Sequence, residues 1–182
     1  MLTPHHRRSI RLKDYDYSQS GLYYVTICTS GRECIFGRIE DKKMILSENG
    51  IVVDKCWNAI PLHFPNVVLH EYVIMPNHIH GIIEITDAVM SVGANNYSPL
   101  QNASPQTAPI NPDNQRPVGT SRTIGSIIRG FKIGVTKEFG FSPWQRNYYE
   151  HIIRNGNGYG AIADYIEQNP TKWETDCFYG NE

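Results

Sequence analysis

Two histidines one residue apart, His78 and His80, are well placed to bind a metal ion together. They lie in residues 75–85 (MPNHIHGIIEI), an apolar and β-branched run with turn residues before it, which is typical of a β-strand. Because side chains alternate faces along a strand, both histidines point to one face and Ile79 points to the other. Two imidazoles about 6–7 Å apart can share a metal ion. A single His-x-His also occurs among ordinary core or surface histidines, so this pattern alone leaves both interpretations open.

A tyrosine and an asparagine near the other end of the chain add a nucleophile and an oxygen ligand. Residues 161–169 (AIADYIEQN) have the pattern of a short helix followed by a proline. Ile162 and Ile166 form one apolar stripe, and Tyr165 and Asn169 form a second stripe beside it. A helix that buries its isoleucines therefore presents a phenol and, one turn on, a carboxamide oxygen. Together with two histidines, these groups make a possible site for cleaving a phosphodiester.

Each of these residues also has a simpler interpretation. Tyr165 could be an amphipathic core tyrosine, and Asn169 could be a helix C-cap. Tyr148 and Tyr149 are rival nucleophiles, but they lie in a strand-like run, and we expect them to pack or to contact DNA. His151 is expected to have a structural or DNA-contact role.

The remaining pattern predicts the elements that must position these residues. Strands are predicted at residues 22–29, 66–74, 75–85 and 144–153, and helices at residues 46–60 and 123–139, before the Tyr165 helix at about residues 158–169. The order β-α-β-β-α-β is that of a ferredoxin-like split βαβ unit, an α+β fold whose antiparallel sheet carries helices on one face.

The sequence also predicts the ends of the helices and the segments that connect the elements. Ser47 is the expected N-cap of the first helix, and Gly140 should end the second. Residues 33–43 are predicted to be irregular or a short hairpin. Residues 155–160 read as a glycine-rich hinge into the Tyr165 helix.

The chain is predicted to be one domain, residues 1–182, with an arm and an insertion. Its length is sufficient for a substantial core. Residues 1–20 form a basic, then tyrosine-rich arm. Residues 93–122 are rich in Asn, Pro, Ser, Gln and Thr and nearly free of large apolar side chains. Such a segment buries little apolar surface, so we expect a polar mobile insertion at about residues 88–121.

The positive charge of this chain is concentrated in clusters rather than in its overall charge. A net charge of −1 argues against a protein that coats DNA through overall positive charge, so clusters matter more. The basic residues expected to contact DNA are Arg7, Arg8, Arg11 and Lys13 in the arm, Arg129 and Lys132 on the second helix, and Arg146 and Arg154 in and after the last strand. Basic arms and helix faces are also often simply solvated.

The sequence lacks the marks of a secreted or membrane protein. Its four cysteines lack CxxC spacing and are expected to be reduced thiols. Apolar runs are too short to span a bilayer, and the start lacks a signal-peptide core. We therefore expect a cytoplasmic protein.

Taken together, several of these motifs resemble the HUH single-tyrosine transposases, and most closely their REP-associated branch. The matching segments, in order, are residues 8–12 (RSIRL), 21–29 (GLYYVTICT), 77–81 (NHIHG), 144–154 (WQRNYYEHIIR) and 164–173 (DYIEQNPTKW). The resemblance covers most of the chain except about residues 88–121.

The resemblance implies a fold and a chemistry. It implies a sheet with the histidine strand at its centre and the tyrosine on a following helix. Tyr165 would attack DNA to give a 5′-phosphotyrosine and a free 3′-OH, while His78, His80 and Asn169 would bind Mg²⁺ or Mn²⁺. The family often has Gln where this chain has Asn169, although the REP-associated branch carries Asn. The implied substrate is single-stranded DNA beside imperfect hairpins, and the protein could be a monomer or a homodimer.

Three functions therefore stay in view. The first is a metal-dependent single-strand DNA endonuclease and strand transferase. The second is a hairpin-binding protein without cleavage activity, although a pure binder needs neither the histidines nor Tyr165. The third is a metal phosphodiesterase that uses water as its nucleophile.

Overall fold

The structure, a computed structural model, describes residues 17–87 and 123–179. The strands are β1 (Gly21–Cys28), β2 (Gly37–Glu40), β3 (Lys43–Leu46), β4 (Val67–Met75), β5 (His78–Ile85) and β6 (Tyr149–Ile153). The helices are α1 (Glu48–Asn58), α2 (Ile60–His63), α3 (Ile124–Phe139) and α4 (Gly156–Gln168), with 3₁₀ helices at Ser30–Arg32 and Asn169–Thr175. The proposed insertion and most of the arm, including Arg7, Arg8, Arg11 and Lys13, lie outside the described residues.

Four strands form one antiparallel sheet in the order β4-β5-β1-β6. This arrangement confirms the predicted α+β, ferredoxin-like fold, with the histidine strand β5 inside the sheet. β2 and β3 pair separately as a hairpin, one of the two arrangements predicted for that region.

The two faces of the sheet carry different helices. Tyr23, Val25 and Ile27 of β1 belong to the main core, which they share with apolar side chains of α1 and α3. On the other face, Ile82 and Ile166 belong to a smaller core beneath α4. The predicted helices α1 and α3 thus lie on one face, and α4 covers the opposite face, which also carries the histidines.

Capping fixes where the helices begin and end. The Ser47 hydroxyl accepts a hydrogen bond from the amide of Gly50, which confirms the predicted N-cap of α1. Gly140 ends α3 in the left-handed conformation, with φ of 73°. The predicted start of the first helix at residue 46 was too early, because Leu46 pairs with Gly37 in the hairpin.

The glycine-rich hinge predicted at residues 155–160 is wrong. Asn155 is the N-cap of α4, and its Oδ1 accepts a hydrogen bond from the amide of Gly158 at 2.8 Å. The residues after Asn155 are the first turn of the helix. The cap supplies a partner for a backbone N–H that would otherwise lack one, which favours helix despite the glycines.

The predicted fourth strand also begins too early. Trp144 forms an isolated bridge with Thr29, and the regular strand starts at Tyr149. The carbonyls of Gln145 and Asn147 instead accept hydrogen bonds from the ammonium group of Lys132 on α3, at 2.8 and 3.2 Å. This segment is therefore tied to α3.

Within residues 17–87 and 123–179, no helix combines the length and the apolar character needed to cross a bilayer.

We expect Gly81→Ala to destabilise the fold. A Cβ at Gly81 would lie 2.4 Å from Cζ2 of Trp57 and 3.2 Å from Cβ of Tyr72. Overpacking of this kind costs about 1–3 kcal/mol, which lowers the melting temperature by roughly 2–10 °C in a domain of this size. As a control, Gly160→Ala meets nothing within 4 Å and should leave the melting temperature equal or higher. Equal melting temperatures for Gly81→Ala and wild type would contradict this packing.

Candidate active site

The centre of the site is the histidine pair on β5. Both side chains are buried, with 0% of His78 and 1% of His80 exposed. Their Nε2 atoms lie 2.9 Å apart. Two imidazole nitrogens therefore converge on one point, as the alternation of side chains along the strand predicted.

Both imidazoles are neutral at pH 7. Burial lowers the pKa of His78 to about 3, with a smaller contribution from the positive charge of Arg32. Burial lowers the pKa of His80 to about 3 as well, with His78 as the next cause. A neutral imidazole keeps one nitrogen lone pair, which is the form that binds a metal ion.

The tautomer of His78 is fixed by Asn77. The Asn77 amide nitrogen donates to the carbonyls of Arg32 and Phe178, at 3.1 and 2.8 Å. Its Oδ1 must therefore be the atom that lies 2.8 Å from Nδ1 of His78, and that nitrogen carries the proton. The lone pair of His78 is then on Nε2, at the centre of the site.

The outer nitrogen of His80 lies against two hydroxyl groups of β1. Its Nδ1 is 2.7 Å from the hydroxyl of Tyr24 and 2.9 Å from that of Thr26. The pairing of Thr26 with His80 across the β1–β5 ladder brings these side chains together. Either hydroxyl oxygen can accept a hydrogen bond from the N–H at Nδ1. Metal-binding histidines are commonly oriented by such a hydrogen bond from their other ring nitrogen. Sequence analysis did not single out Tyr24, Thr26 or Asn77 individually for this role.

Tyr165 reaches the histidine pair from α4. Its hydroxyl lies 3.4 Å from Nε2 of His80, and 40% of the residue is exposed. Ile166, the next residue, is buried in the smaller core, so the helix is oriented with the phenol toward the site. Burial raises the pKa of Tyr165, and the negative charge of Asp176 raises it further.

Asn169 and Asp176 supply oxygen atoms beside the histidines. The Asn169 amide nitrogen lies 3.2 Å from Oδ2 of Asp176 and donates to it. Oδ1 of Asn169 is buried, and within the described part of the chain it has no hydrogen-bond partner. One potential ligand atom from each of His78, His80 and Asp176 lies within 4.8 Å of the others.

Asp176 was missed by sequence analysis because it follows the recognisable motif and shows no pattern of its own. The 3₁₀ helix Asn169–Thr175 brings it back to Asn169, and its Oδ1 accepts from the amide of Phe178 at 2.7 Å. Such a return of the chain is set by tertiary structure rather than by residue spacing.

These groups could hold a divalent metal ion. The 2.9 Å between the two Nε2 atoms is close to the separation of neighbouring ligands around an octahedral ion with bonds of about 2.1 Å. The unpartnered Oδ1 of Asn169 and the carboxylate of Asp176 add hard oxygen donors. Mixed imidazole and oxygen ligation suits Mn²⁺ and also admits Mg²⁺.

The other candidate tyrosines have other partners. The hydroxyl of Tyr148 donates to Glu150 at 2.7 Å, and the ring lies beneath the ammonium group of Lys132. Tyr149 is half exposed, with its ring against the edge of Tyr24. His151 is exposed on β6.

Three of the predicted DNA-contact residues line one cleft of about 710 Å³ between α3 and residues 142–148, here called the basic groove. Its cationic side chains are Arg129, Lys132, Lys137 and Arg146, and no acidic residue of the described chain lines it. Arg154 lines a different cavity beside β6, together with Tyr149.

Lys132 differs from the arginines of this groove. Its ammonium group donates to two backbone carbonyls. Burial lowers its pKa to about 8. It therefore fixes one wall of the groove and has one N–H proton left for a ligand.

Comparison with known proteins identifies a relative and a structural neighbour. No protein-family model matches the chain. An uncharacterized protein of Haemophilus influenzae (strain Rd) is 50% identical over 181 residues, covering 96% of this chain and 94% of that protein. The chain belongs to the same family as this protein.

Among solved structures, a REP-associated tyrosine transposase bound to a REP hairpin superposes with a TM-score of 0.56 at 19% identity. The match covers 91% of this chain and 74% of that one. At this identity, the likeness shows a shared fold.

We expect Mn²⁺ to stabilise the protein through the histidine pair. An ion that binds only the folded state at 100 times its Kd contributes about 2.7 kcal/mol, or roughly 5–10 °C in melting temperature. Differential scanning fluorimetry with and without MnCl₂ measures the shift. His80→Ala should abolish it, whereas His151→Ala, on the exposed part of β6, should retain it. An equal shift in both variants would contradict binding at this site.

Proposed function

We propose that this protein is a metal-dependent endonuclease and strand transferase that acts on single-stranded DNA through a 5′-phosphotyrosine intermediate. The observation that carries the proposal is the approach of the Tyr165 hydroxyl to within 3.4 Å of Nε2 of His80, beside a buried neutral histidine pair. A phenol next to a candidate metal centre is the arrangement that covalent cleavage of a phosphodiester requires.

Four side chains would hold the metal ion: His78, His80, Asn169 and Asp176. A bound Mg²⁺ or Mn²⁺ would polarise the scissile phosphate and stabilise charge on the leaving oxygen. Asn77 keeps the Nε2 lone pair of His78 directed at the centre, and the β1 hydroxyls orient His80. Asn169 would contribute the Oδ1 atom that has no partner in the described residues.

Tyr165 would be the nucleophile. Its Oη would form a bond to phosphorus and lose its proton, while the bond from phosphorus to the 3′-oxygen breaks and that oxygen takes up a proton. The product keeps the phosphate ester bond energy for rejoining. Burial and the negative charge of Asp176 raise the pKa of the phenol, so Tyr165 would enter the reaction in its protonated form.

The basic groove would bind the DNA outside the cleavage site. Arg129 and Arg146 are exposed there, and guanidinium groups suit phosphate oxygens. Arg154, which lines a separate cavity beside β6, would add a further phosphate contact. The structural neighbour is bound to a REP hairpin, which favours hairpin-flanked single strands as the substrate class. Contacts by Arg7, Arg8, Arg11 and Lys13 remain predictions.

The proposed site would be complete within one chain. Tyr165 contacts His80 of the same chain, so a monomer would suffice for cleavage. Processing of chromosomal DNA would place the protein in the cytoplasm.

Covalent trapping tests the proposal. The protein is incubated with Mn²⁺ and labelled single-stranded oligonucleotides that tile the genomic DNA on both sides of its own gene, then run on a denaturing gel. We expect a shifted, labelled protein band with wild type. The band should be absent with Tyr165→Phe and with EDTA, because both remove a component of the reaction.

Tyr149→Phe is the matched control, since it removes the rival phenol and should retain the covalent band. A band that survives Tyr165→Phe would refute Tyr165 as the nucleophile. Cleavage without a covalent band would indicate water as the nucleophile. Binding of hairpin oligonucleotides with neither product would indicate a hairpin-binding protein.

A further inference from the structure

An irregularity in β4 brings two consecutive side chains to the start of α4. The pairing of β4 with β5 shifts register between Leu69 and Tyr72. In a regular strand, consecutive side chains point to opposite faces. Here His70 and Glu71, which lie within the shift, both contact Tyr159 of α4. A β-bulge is a common means of redirecting a side chain in this way.

Tyr159 is the hub of a hydrogen-bonded cluster. Its hydroxyl donates to Oε2 of Glu71 at 2.5 Å and lies 3.2 Å from Nδ1 of His70. The other nitrogen of His70 lies 2.9 Å from Oε2 of Glu84 on β5. We call Tyr159, His70, Glu71 and Glu84 the polar clamp. It connects α4 to both β4 and β5, at a distance from the metal-ligand candidates.

The first residues of α4 have low helix propensity and therefore need contacts with the sheet to stay helical. Gly156, Gly158 and Gly160 all lie in its first five residues, and each glycine disfavours helix by about 1 kcal/mol relative to alanine. The apolar contacts of the helix with the sheet are made by the ring of Tyr159 and, further along, by Ile162 and Ile166. Tyr159 is the one large side chain among residues 156–160.

Tyr159 and Tyr165 lie on the same helix, so a movement of the helix displaces both side chains together. Six residues correspond to about 9 Å along the helix axis. A change in the tilt or the axial position of α4 therefore moves the Tyr165 hydroxyl relative to His80, and a displacement near 1 Å can cost about a hundredfold in rate.

We propose that Tyr159 is a positioning residue, which acts through the polar clamp to hold α4 where the Tyr165 hydroxyl meets the histidine pair. The role rests on the proposed function of Tyr165. Tyr159 itself touches neither the candidate metal ligands nor the nucleophile in the described contacts.

Hydrogen–deuterium exchange of the free protein tests the clamp without any DNA. In Tyr159→Phe, amides of residues 158–164 should exchange about tenfold faster than in wild type, the effect of losing a hydrogen bond to a charged group. Tyr72→Phe is the matched control. Tyr72 lies on β4 and, like Tyr159, donates to a carboxylate, at 2.7 Å, but that carboxylate belongs to Asp54 of α1. Tyr72→Phe should therefore leave the exchange of amides in α4 unchanged.

Two variants of Glu71 distinguish loss of the hydrogen bond from general destabilisation of the fold. Glu71→Gln keeps an oxygen that can accept from Tyr159, so α4 should exchange more slowly in it than in Glu71→Ala, which should resemble Tyr159→Phe. Equal exchange of α4 in wild type, Tyr159→Phe and Glu71→Ala would overturn the clamp. Faster exchange across the whole sheet would also overturn it, because that result indicates general destabilisation.

The covalent assay then tests positioning. With an oligonucleotide on which wild type forms the adduct, Tyr159→Phe should slow single-turnover adduct formation about tenfold or more, while its Kd for that oligonucleotide stays within about twofold of the wild-type value. An unchanged rate would refute the positioning role. If wild type forms no adduct on any oligonucleotide, the proposed function fails, and the exchange data still decide whether the clamp holds α4.

Discussion

The structure depends on two neutral imidazoles that are buried edge to face, at 69° to each other, on an inner strand. Burying a polar group is costly unless it has a hydrogen-bond partner, so each ring needs one on its outer nitrogen. Oδ1 of Asn77 is the partner of Nδ1 of His78, and the hydroxyls of Tyr24 and Thr26 are the partners of Nδ1 of His80. The two inner nitrogens then face each other as unprotonated lone pairs 2.9 Å apart, and the Tyr165 hydroxyl lies 3.4 Å from that of His80. The lone pairs of the two inner nitrogens are therefore available to an ion at one point inside the protein.

Several features of the fold follow from the need to hold these rings in place. β5 lies between β4 and β1, so its backbone is paired on both sides. Gly81, directly after the histidines, lets β5 approach Trp57 of α1 more closely than any side chain would permit. Helix α4 covers the face that α1 and α3 leave open and brings Tyr165 to the pair. The chain segment after α4 then returns with Asp176.

The parts of this arrangement that could be predicted from sequence are those set by local periodicity. Alternation in β5 predicted that both histidines share a face, and the i, i+4 spacing predicted that Asn169, which is the C-cap of α4, lies on the same side as Tyr165. Asp176, Tyr24, Thr26 and Asn77 join the site through strand register and chain reversal, which no local pattern encodes. The hinge prediction failed for a related reason: glycines lower helix propensity, but the Asn155 cap and the contacts of Tyr159 outweigh that effect.

We propose that the histidine pair and the residues around Tyr165 form one metal centre. Anomalous diffraction from crystals soaked in Mn²⁺ would show the position of the ion. We predict one strong anomalous peak in bonding contact with Nε2 of both His78 and His80 and with an oxygen of Asn169 or Asp176, next to the Tyr165 hydroxyl. Crystals that bind Mn²⁺ elsewhere while this position shows no peak would contradict the claim.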